Sequence, residues 1–139
     1  MQRHRLLAGI YAATLLGVTV LGWMPGLADA NGRLFGIFRL TWYNDALHLS
    51  SAAWALGACI ASTSASIIFL RAFGALYLID GLMGLTTGSG YLDLGIIFYG
   101  FRDLPLDFRV FANLPHIGLG SIAVIAGLFQ PAPRPAPIA

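Results

Sequence analysis

The sequence contains no lysine and no glutamate, so every charged side chain is one of eight arginines or six aspartates. Charged residues make up only 10% of the chain, whereas soluble domains carry about 25%. Hydrophobic residues account for 58% and the mean hydropathy is +0.77. This composition excludes an ordinary soluble domain and predicts a membrane-embedded protein. The arginines are scattered singly along the chain, so they do not predict a nucleic-acid partner.

Cysteine is almost absent as well. Cys59 stands alone inside an apolar run, which excludes an internal disulfide and any paired-cysteine redox or zinc motif. Without lysine there is no phosphate-binding P-loop, and without glutamate few carboxylate pairs are available for acid–base chemistry. No catalytic set is predicted, and the composition favours a protein that is not an enzyme.

Four long apolar runs remain once these exclusions are made. At 1.5 Å per residue, runs of about this length cross a hydrocarbon core of roughly 30 Å. We therefore predict an all-α membrane protein with one domain over residues 1–139. Its transmembrane helices are expected at about 6–24, 45–70, 72–90 and 114–130, with a proline-rich tail at 131–139. Asn44 and Asn113 are the expected N-caps of the second and fourth helices, and Arg71 is the expected end of the second.

The first run has an alternative interpretation. Arg3 and Arg5 precede it and Ala28-Asp-Ala30 follows it, an order that a cleaved signal peptide also shows. The apolar run of about 19 residues is longer than the usual signal core, which favours a retained helix.

The alanine-rich and glycine-rich composition without lysine or glutamate is typical of a GC-rich bacterial genome. We expect a multi-pass protein of the bacterial inner membrane with both termini in the cytoplasm, because the arginines on that side adjoin helix ends and are not mixed with aspartates.

The two halves of the chain resemble each other. Arg5-Leu-Leu-Ala-Gly-Ile-Tyr11 corresponds to Arg71-Ala-Phe-Gly-Ala-Leu-Tyr77, and Asn44…His48 corresponds to Asn113…His116, in the same order. Two helices per repeat return the chain to the same side of the membrane. The pattern therefore predicts two parallel helix–loop–helix repeats. The aromatic outer loops, at 31–43 and 91–112, are expected to contain short interfacial segments or to pack over the mouth of the bundle.

Several short strings also resemble a known family. Gly22-Trp-Met-Pro-Gly-Leu27, Leu34-Phe-Gly-Ile-Phe38, Asn44…His48 and Asn113…His116 are similar to the bacterial membrane-protein family called domain of unknown function 4383. The resemblance covers roughly residues 6–129. It implies a four-helix membrane protein and no established activity. Pro115 stands where that family usually has the leucine before the second histidine.

His48 and His116 are the strongest candidates for a binding site. Each is expected about one turn into a helix that starts at the outer side, with small residues beneath it. Two imidazoles at equal depth on facing helices are suited to ligate a haem or one metal ion. The alternative is structural, in which each Asn and His satisfies free backbone groups at a helix start. A small-molecule or lipid-headgroup site is the third possibility. No acidic residue stands at a metal-binding spacing from either histidine, so no metal ligands are assigned.

Asp80 is the other outlier, because it interrupts the third apolar run near its middle. A charge at that depth costs about 2.5–3.5 kcal/mol on insertion scales, so a partner is required. We expect Trp54 on the second helix and Ser121 on the fourth as its hydrogen-bond donors, with the histidines reaching it through Ser51 or water. Asp80 then either fixes helix register or relays protons.

Three functions follow from these residues. The favoured hypothesis is a non-enzymatic integral membrane protein, a structural or accessory and assembly subunit of a membrane complex. The first alternative is a small haem-binding or metal-binding redox protein that uses His48 and His116. The second alternative is a minimal proton-conducting or ion-conducting unit that uses Asp80. The expected partners are the lipid bilayer and either further copies of the chain or a larger membrane complex.

Overall fold

A computed structural model describes residues 2–38 and 41–129. Within those residues there are four long helices, one short helix and no β-strand. The helices are α1 (Gln2–Trp23), α2 (Trp42–Ala61), α3 (Thr63–Thr87), α4 (Gly95–Tyr99) and α5 (Leu106–Leu128). The described part of the loop between α1 and α2 contains turns and two isolated bridges, and α4 lies in the loop between α3 and α5. The predicted proline-rich tail lies outside the described residues.

Three of the helices, α1, α3 and α5, are long and apolar enough to cross a membrane. Large apolar side chains are exposed on all four long helices, among them Leu16, Ile60, Ile68 and Ile125. A monomeric soluble protein rarely exposes so much contiguous apolar surface. The all-α class and a fold compatible with a membrane are therefore confirmed.

The predicted boundary between the second and third helices is wrong. The second helix ends at Ala61 rather than Leu70, and the third begins at Thr63 rather than Ala72. The break falls at Ser62, whose extended backbone ends α2 and whose side chain accepts a hydrogen bond from Ala65 N as the N-cap of α3. Arg71, the predicted helix end, lies inside α3. A serine side chain that satisfies a free amide of the next helix is a stronger boundary signal than a single arginine.

Neither asparagine is an N-cap, so these two predictions are also wrong. Helix α2 begins at Trp42 with Thr41 as its N-cap, and the Asn44 side chain reaches back to accept from the amide and hydroxyl of Thr41. Helix α5 begins at Leu106, directly after Pro105 and two turns before Asn113. The predicted fourth long helix, which is α5, therefore begins eight residues before Leu114. Proline is tolerated at a helix start, because the N–H that it lacks would have no partner within the helix there.

The helices pack as two antiparallel pairs, and glycines bring the second pair close together. Gly74, Gly81 and Gly84 of α3 meet the backbone or side chains of α5, while Gly120 and Gly127 of α5 meet α3. A side chain at these positions would overlap the facing helix. Close backbone approach through small residues is how helices associate where lipid provides no hydrophobic drive. In the first pair, Gly9 of α1 faces Cys59 near the end of α2, and Trp23 donates to Asp45 at the other end.

Aromatic rings fill the centre of the bundle. Phe69, Phe73 and Tyr77 lie one turn apart on the same face of α3 and are at most 2% exposed. Their rings stack in order, with centroids 5.0 and 4.0 Å apart. Tyr11 of α1 packs edge-on against Phe73, and its hydroxyl donates to Leu119 O of α5 at 2.6 Å. This core joins all four long helices, since Trp54 of α2 also packs against Phe69.

Arginine side chains from neighbouring helices bind the C-terminal carbonyls of three long helices. Arg5 of α1 donates to Cys59 O and Ile60 O at the end of α2. Arg71 of α3 donates to Gly127 O at the end of α5, and Arg109 of α5 donates to Thr86 O at the end of α3. These carbonyls have no partner within their own helix, and a cation there is favoured by the helix dipole.

Candidate functional site

A cavity of about 420 Å³ lies at the end of the bundle where α1 and α3 finish and α2 and α5 begin. We call it the α4-end cavity, because residues of α4 and its flanking loop form part of its wall. The volume is in the range of small-molecule sites. Its lining brings together most of the polar residues that the sequence singled out, namely Asn44, His48, Asp80, Asn113 and His116.

Asp80 and His116 form a direct ion-pair contact in this cavity. His116 Nδ1 lies 2.6 Å from Asp80 Oδ2, and the carboxylate is only 2% exposed. The imidazole therefore donates from Nδ1, while Nε2 makes no hydrogen bond with the described residues. The other carboxylate oxygen accepts from Tyr91 N at 2.6 Å and Leu92 N at 2.8 Å. Three donors thus satisfy a buried carboxylate, as burial of a charge requires.

The prediction for the partners of Asp80 is wrong. Trp54 is 43% exposed and packs its ring against Phe69 instead. Neither Trp54 nor Ser121 donates a described hydrogen bond to Asp80. The error follows from the misplaced start of the fourth helix. Because α5 begins at Leu106, His116 lies nearly three turns inside it and reaches the level of Asp80 without a bridging residue.

Asn44 and Asp93 make a second polar link across the cavity wall. The Asn44 amide donates to Asp93 Oδ2 at 2.9 Å, and Asp93 Oδ1 accepts from Gly95 N at the start of α4. Asp80 and Asp93 therefore hold the loop before α4 at two points, one against α3 and one against α2. Sequence reasoning missed Asp93, although an aspartate two residues before a glycine in an aromatic loop is a turn signal.

His48 lines the same cavity from α2 and is buried, with 7% exposure. Its Nδ1 has no hydrogen-bond partner among the described residues. Two more buried polar atoms around the cavity share this condition, in Ser89 and Arg109. Buried polar atoms are nearly always paired with protein, water or a ligand. Their concentration around one cavity indicates that it is suited to hold a polar guest.

Tyr91 lies in the loop between α3 and α4 and covers the Asp80 side of the site. Its hydroxyl donates to Leu76 O, and its backbone amide binds Asp80. Burial, and then the negative charge of Asp80, raise the pKa of the Tyr91 phenol above its ordinary value. The phenol therefore stays neutral and remains a donor across the physiological pH range.

His48 of α2 and His116 of α5 both line the cavity. Among the described residues, no group of three or more histidine, cysteine, aspartate or glutamate side chains is placed to hold a metal ion. Neither of the two histidines hydrogen-bonds to a hydroxyl or thiol of a described residue. The Asp80–His116 contact is the type that fixes the tautomer of an imidazole and leaves its other nitrogen to bind or exchange a proton.

Comparison with known proteins adds no relative. No protein-family model, curated protein or solved structure matches the chain.

Proposed function

We propose that this chain is a non-enzymatic integral membrane protein that binds a small molecule in the α4-end cavity, and that it serves as an accessory subunit of a membrane complex. One observation carries the proposal. A cavity of about 420 Å³ concentrates a buried Asp80–His116 pair, His48 and several unpaired polar atoms on its walls. Such groups fit ligand recognition. The absence of a hydroxyl or thiol bonded to His48 or His116 among the described residues argues against nucleophilic catalysis there.

The proposal includes four membrane crossings. Helix α2 contains 20 residues, enough for about 30 Å at the rise of an α-helix. Its start contacts the end of α1 through Asp45 and Trp23, and its end contacts the start of α1 through Cys59 and Arg5. A helix that lies along the full length of a spanning helix has the same depth in the membrane. Asp45 is its only formal charge and lies in its first turn.

We also propose that the bundle consists of two parallel repeats. The support is a matched pair of interactions. Arg5 of α1 binds the last carbonyls of α2, and Arg71, its counterpart in the second half, binds Gly127 O near the end of α5. His48 and His116 likewise line one cavity. This arrangement is consistent with the similarity to the domain of unknown function 4383 family, and membership of that family stays a prediction.

The support for the orientation is the setting of the arginines. Three described arginines lie at each end of the bundle; Arg3, Arg5 and Arg71, opposite α4, are not mixed with aspartates, whereas the arginines of the α4 end are. We propose that both termini lie in the bacterial cytoplasm and that the α4-end cavity opens toward the outer side of the inner membrane.

A cavity-blocking variant tests the binding proposal. Ala112 lines the cavity and is partly buried, whereas Ala53 is exposed on α2. We expect native mass spectrometry to find a retained non-protein mass on the wild-type protein and on Ala53→Phe, and to find it lost from Ala112→Phe. Thermal unfolding shows whether both variants are folded. A wild-type protein that retains no added mass after mild purification contradicts the proposal, and so does retention by a folded Ala112→Phe.

A haem-binding function is the second candidate, and one specific observation favours it. Two histidines line the same cavity, and Asp80 orients one of them through Nδ1, as carboxylates do for metal-bound imidazoles. Haem would contribute one-electron chemistry there. A Soret absorption band that disappears in His116→Phe is the expected result. A purified protein that is colourless and free of iron overturns this candidate.

Proton conduction by a single chain is not favoured. From Tyr77, which lines the cavity, the core continues away from the cavity into Phe73 and Phe69 in a continuous stack. These rings are almost fully buried and leave an apolar layer where a proton path would need water or polar groups.

A further inference from the structure

Three arginines, Arg33, Arg102 and Arg109, line the α4-end cavity. None of them pairs with a carboxylate among the described residues. The two aspartates on the same walls are engaged elsewhere, Asp80 with His116 and Asp93 with Asn44. No guanidinium of the cavity is therefore paired directly with a described carboxylate, and three arginines against two aspartates leave the lining with a net positive charge.

Aromatic rings of the cavity wall position two of these guanidinium groups. Arg33 lies over the ring of Phe108 at 5.9 Å, and Arg102 lies over the ring of Tyr99 at 5.5 Å. Both rings also line the cavity. Neither guanidinium donates a hydrogen bond to a described residue. A guanidinium over a ring is attracted to its face, and its N–H donors stay available to a ligand.

Arg109 contributes the third guanidinium, of which one nitrogen already makes a hydrogen bond. Its Nη1 donates to Thr86 O at 3.2 Å, while its Nε is buried and has no partner. A buried donor without an acceptor costs about 1–3 kcal/mol unless water or a ligand supplies one. The orphan Nε on a cavity wall is independent evidence for an acceptor that belongs in this space.

Part of the remaining wall of the cavity is apolar. Leu15 and Val18 of α1, Leu119 of α5 and Phe98 of α4 contribute to the lining. A guest that satisfies both parts of the lining is an amphiphile, with an acidic group at the arginines and a hydrocarbon portion against these side chains. Arginine binds phosphate through paired N–H donors, which suits a phosphate headgroup.

We propose that the guest of the α4-end cavity is the phosphate headgroup of an anionic membrane phospholipid, held by Arg33, Arg102 and Arg109. This inference rests on the proposed binding function and names its ligand class. The same arginines would also bind free phosphate, so the experiment separates the two sources.

The main test uses the double variant Arg33→Gln/Arg102→Gln, because neither side chain makes a described hydrogen bond that the fold needs. Arg3→Gln is the matched control, since Arg3 is exposed at the other end of the bundle. Each protein is placed in nanodiscs of phosphatidylcholine alone, or of equal parts phosphatidylcholine and phosphatidylglycerol, and then released for native mass spectrometry. We expect wild type and Arg3→Gln to retain phosphatidylglycerol, and the double variant to retain it about tenfold less, as the loss of charge-assisted contacts implies.

A second arm titrates inorganic phosphate into each detergent-solubilised protein by calorimetry. Binding of phosphate that depends on Arg33 and Arg102, without retention of phosphatidylglycerol, overturns the lipid source and retains the phosphate chemistry. Equal retention of phosphatidylglycerol by the double variant and wild type overturns the arginine site. If the wild type instead keeps a neutral molecule that Ala112→Phe excludes, the inference fails and the binding function stands. If the wild type keeps nothing, both fail.

Discussion

At the residue scale, the polar groups of this chain are few, and the described ones concentrate where α1 and α3 end. Asp80 could be identified from the sequence, because a single charge in an apolar run requires a partner. Its partner could not be predicted, because the depth of His116 depends on where α5 begins. Pro105 determines where α5 begins, whereas Asn113 has the residue type that is more typical of an N-cap. The sequence also could not predict that two backbone amides of the loop before α4 donate to Asp80, because the path of a loop over a helix end produces no periodic sequence pattern.

Asp80 offers a direct test of the carboxylate's role. Asp80→Ala removes the acceptor for His116 Nδ1 and leaves the amides of Tyr91 and Leu92 unpaired. We expect a loss of about 2–5 kcal/mol in unfolding free energy, because a buried charge-assisted network is broken. Asp80→Asn keeps an oxygen for the two amides and loses less. Reversible unfolding in detergent micelles measures both. Asp103→Ala, at an exposed aspartate, is the control; equal effects of Asp80→Ala and Asp103→Ala would refute this role.

At the element scale, the sequence correctly predicts the helical class. It also indicates the inward face of α5, where Gly120, Ala123 and Gly127 follow His116 at helical spacing and are all buried. Small-residue spacing alone did not distinguish contact from exposure. Gly17 and Gly57 also belong to four-residue series, yet an added side chain at either position meets nothing. Only the three-dimensional pairing of α3 with α5 determines which glycines are required.

Two glycines of α5 give a matched pair of variants. A methyl group at Gly120 would overlap the backbone of Leu78 on α3, whereas one at Gly118 meets nothing within 4 Å. We expect Gly120→Ala to destabilise the protein by about 1–3 kcal/mol through overpacking. Gly118→Ala should be neutral or stabilising by about 0.5–1 kcal/mol, because alanine favours a helix interior. Thermal unfolding in one detergent compares them. The α3–α5 contact is wrong if Gly120→Ala is as stable as Gly118→Ala.

Arg71 of α3, which binds the C-terminal end of α5, supports a second prediction about the helices. Arg71→Gln removes a charged donor from Gly127 O and should lower the unfolding free energy by about 1–2 kcal/mol. Hydrogen exchange should rise in the last turn of α5 and not in α2, whose end is bound by Arg5. Arg3→Gln is the control. Uniform exchange across all helices in Arg71→Gln would show that the contact has no local role.

At the scale of the whole molecule, composition alone distinguishes this chain from soluble proteins. The long helices also pair in chain order, α1 with α2 and α3 with α5. The cavity could not be foreseen. Its position depends on how the helices pack in three dimensions, and sequence periodicity does not report distances between helices. Its lining combines residues from α1, α2, α3, α4 and α5 that are far apart in the chain.

The topology is tested most directly by site-specific labelling in intact cells and in inverted vesicles. In a Cys59→Ala background, single cysteines are introduced as Asn31→Cys and Asp103→Cys at the α4 end, and as Gln2→Cys and Ser64→Cys at the opposite end. All four positions are exposed. A membrane-impermeant maleimide should label the first two only in cells and the last two only in vesicles. Labelling of Asn31→Cys and Asp103→Cys from opposite sides would contradict a four-helix bundle whose cavity lies at one membrane face.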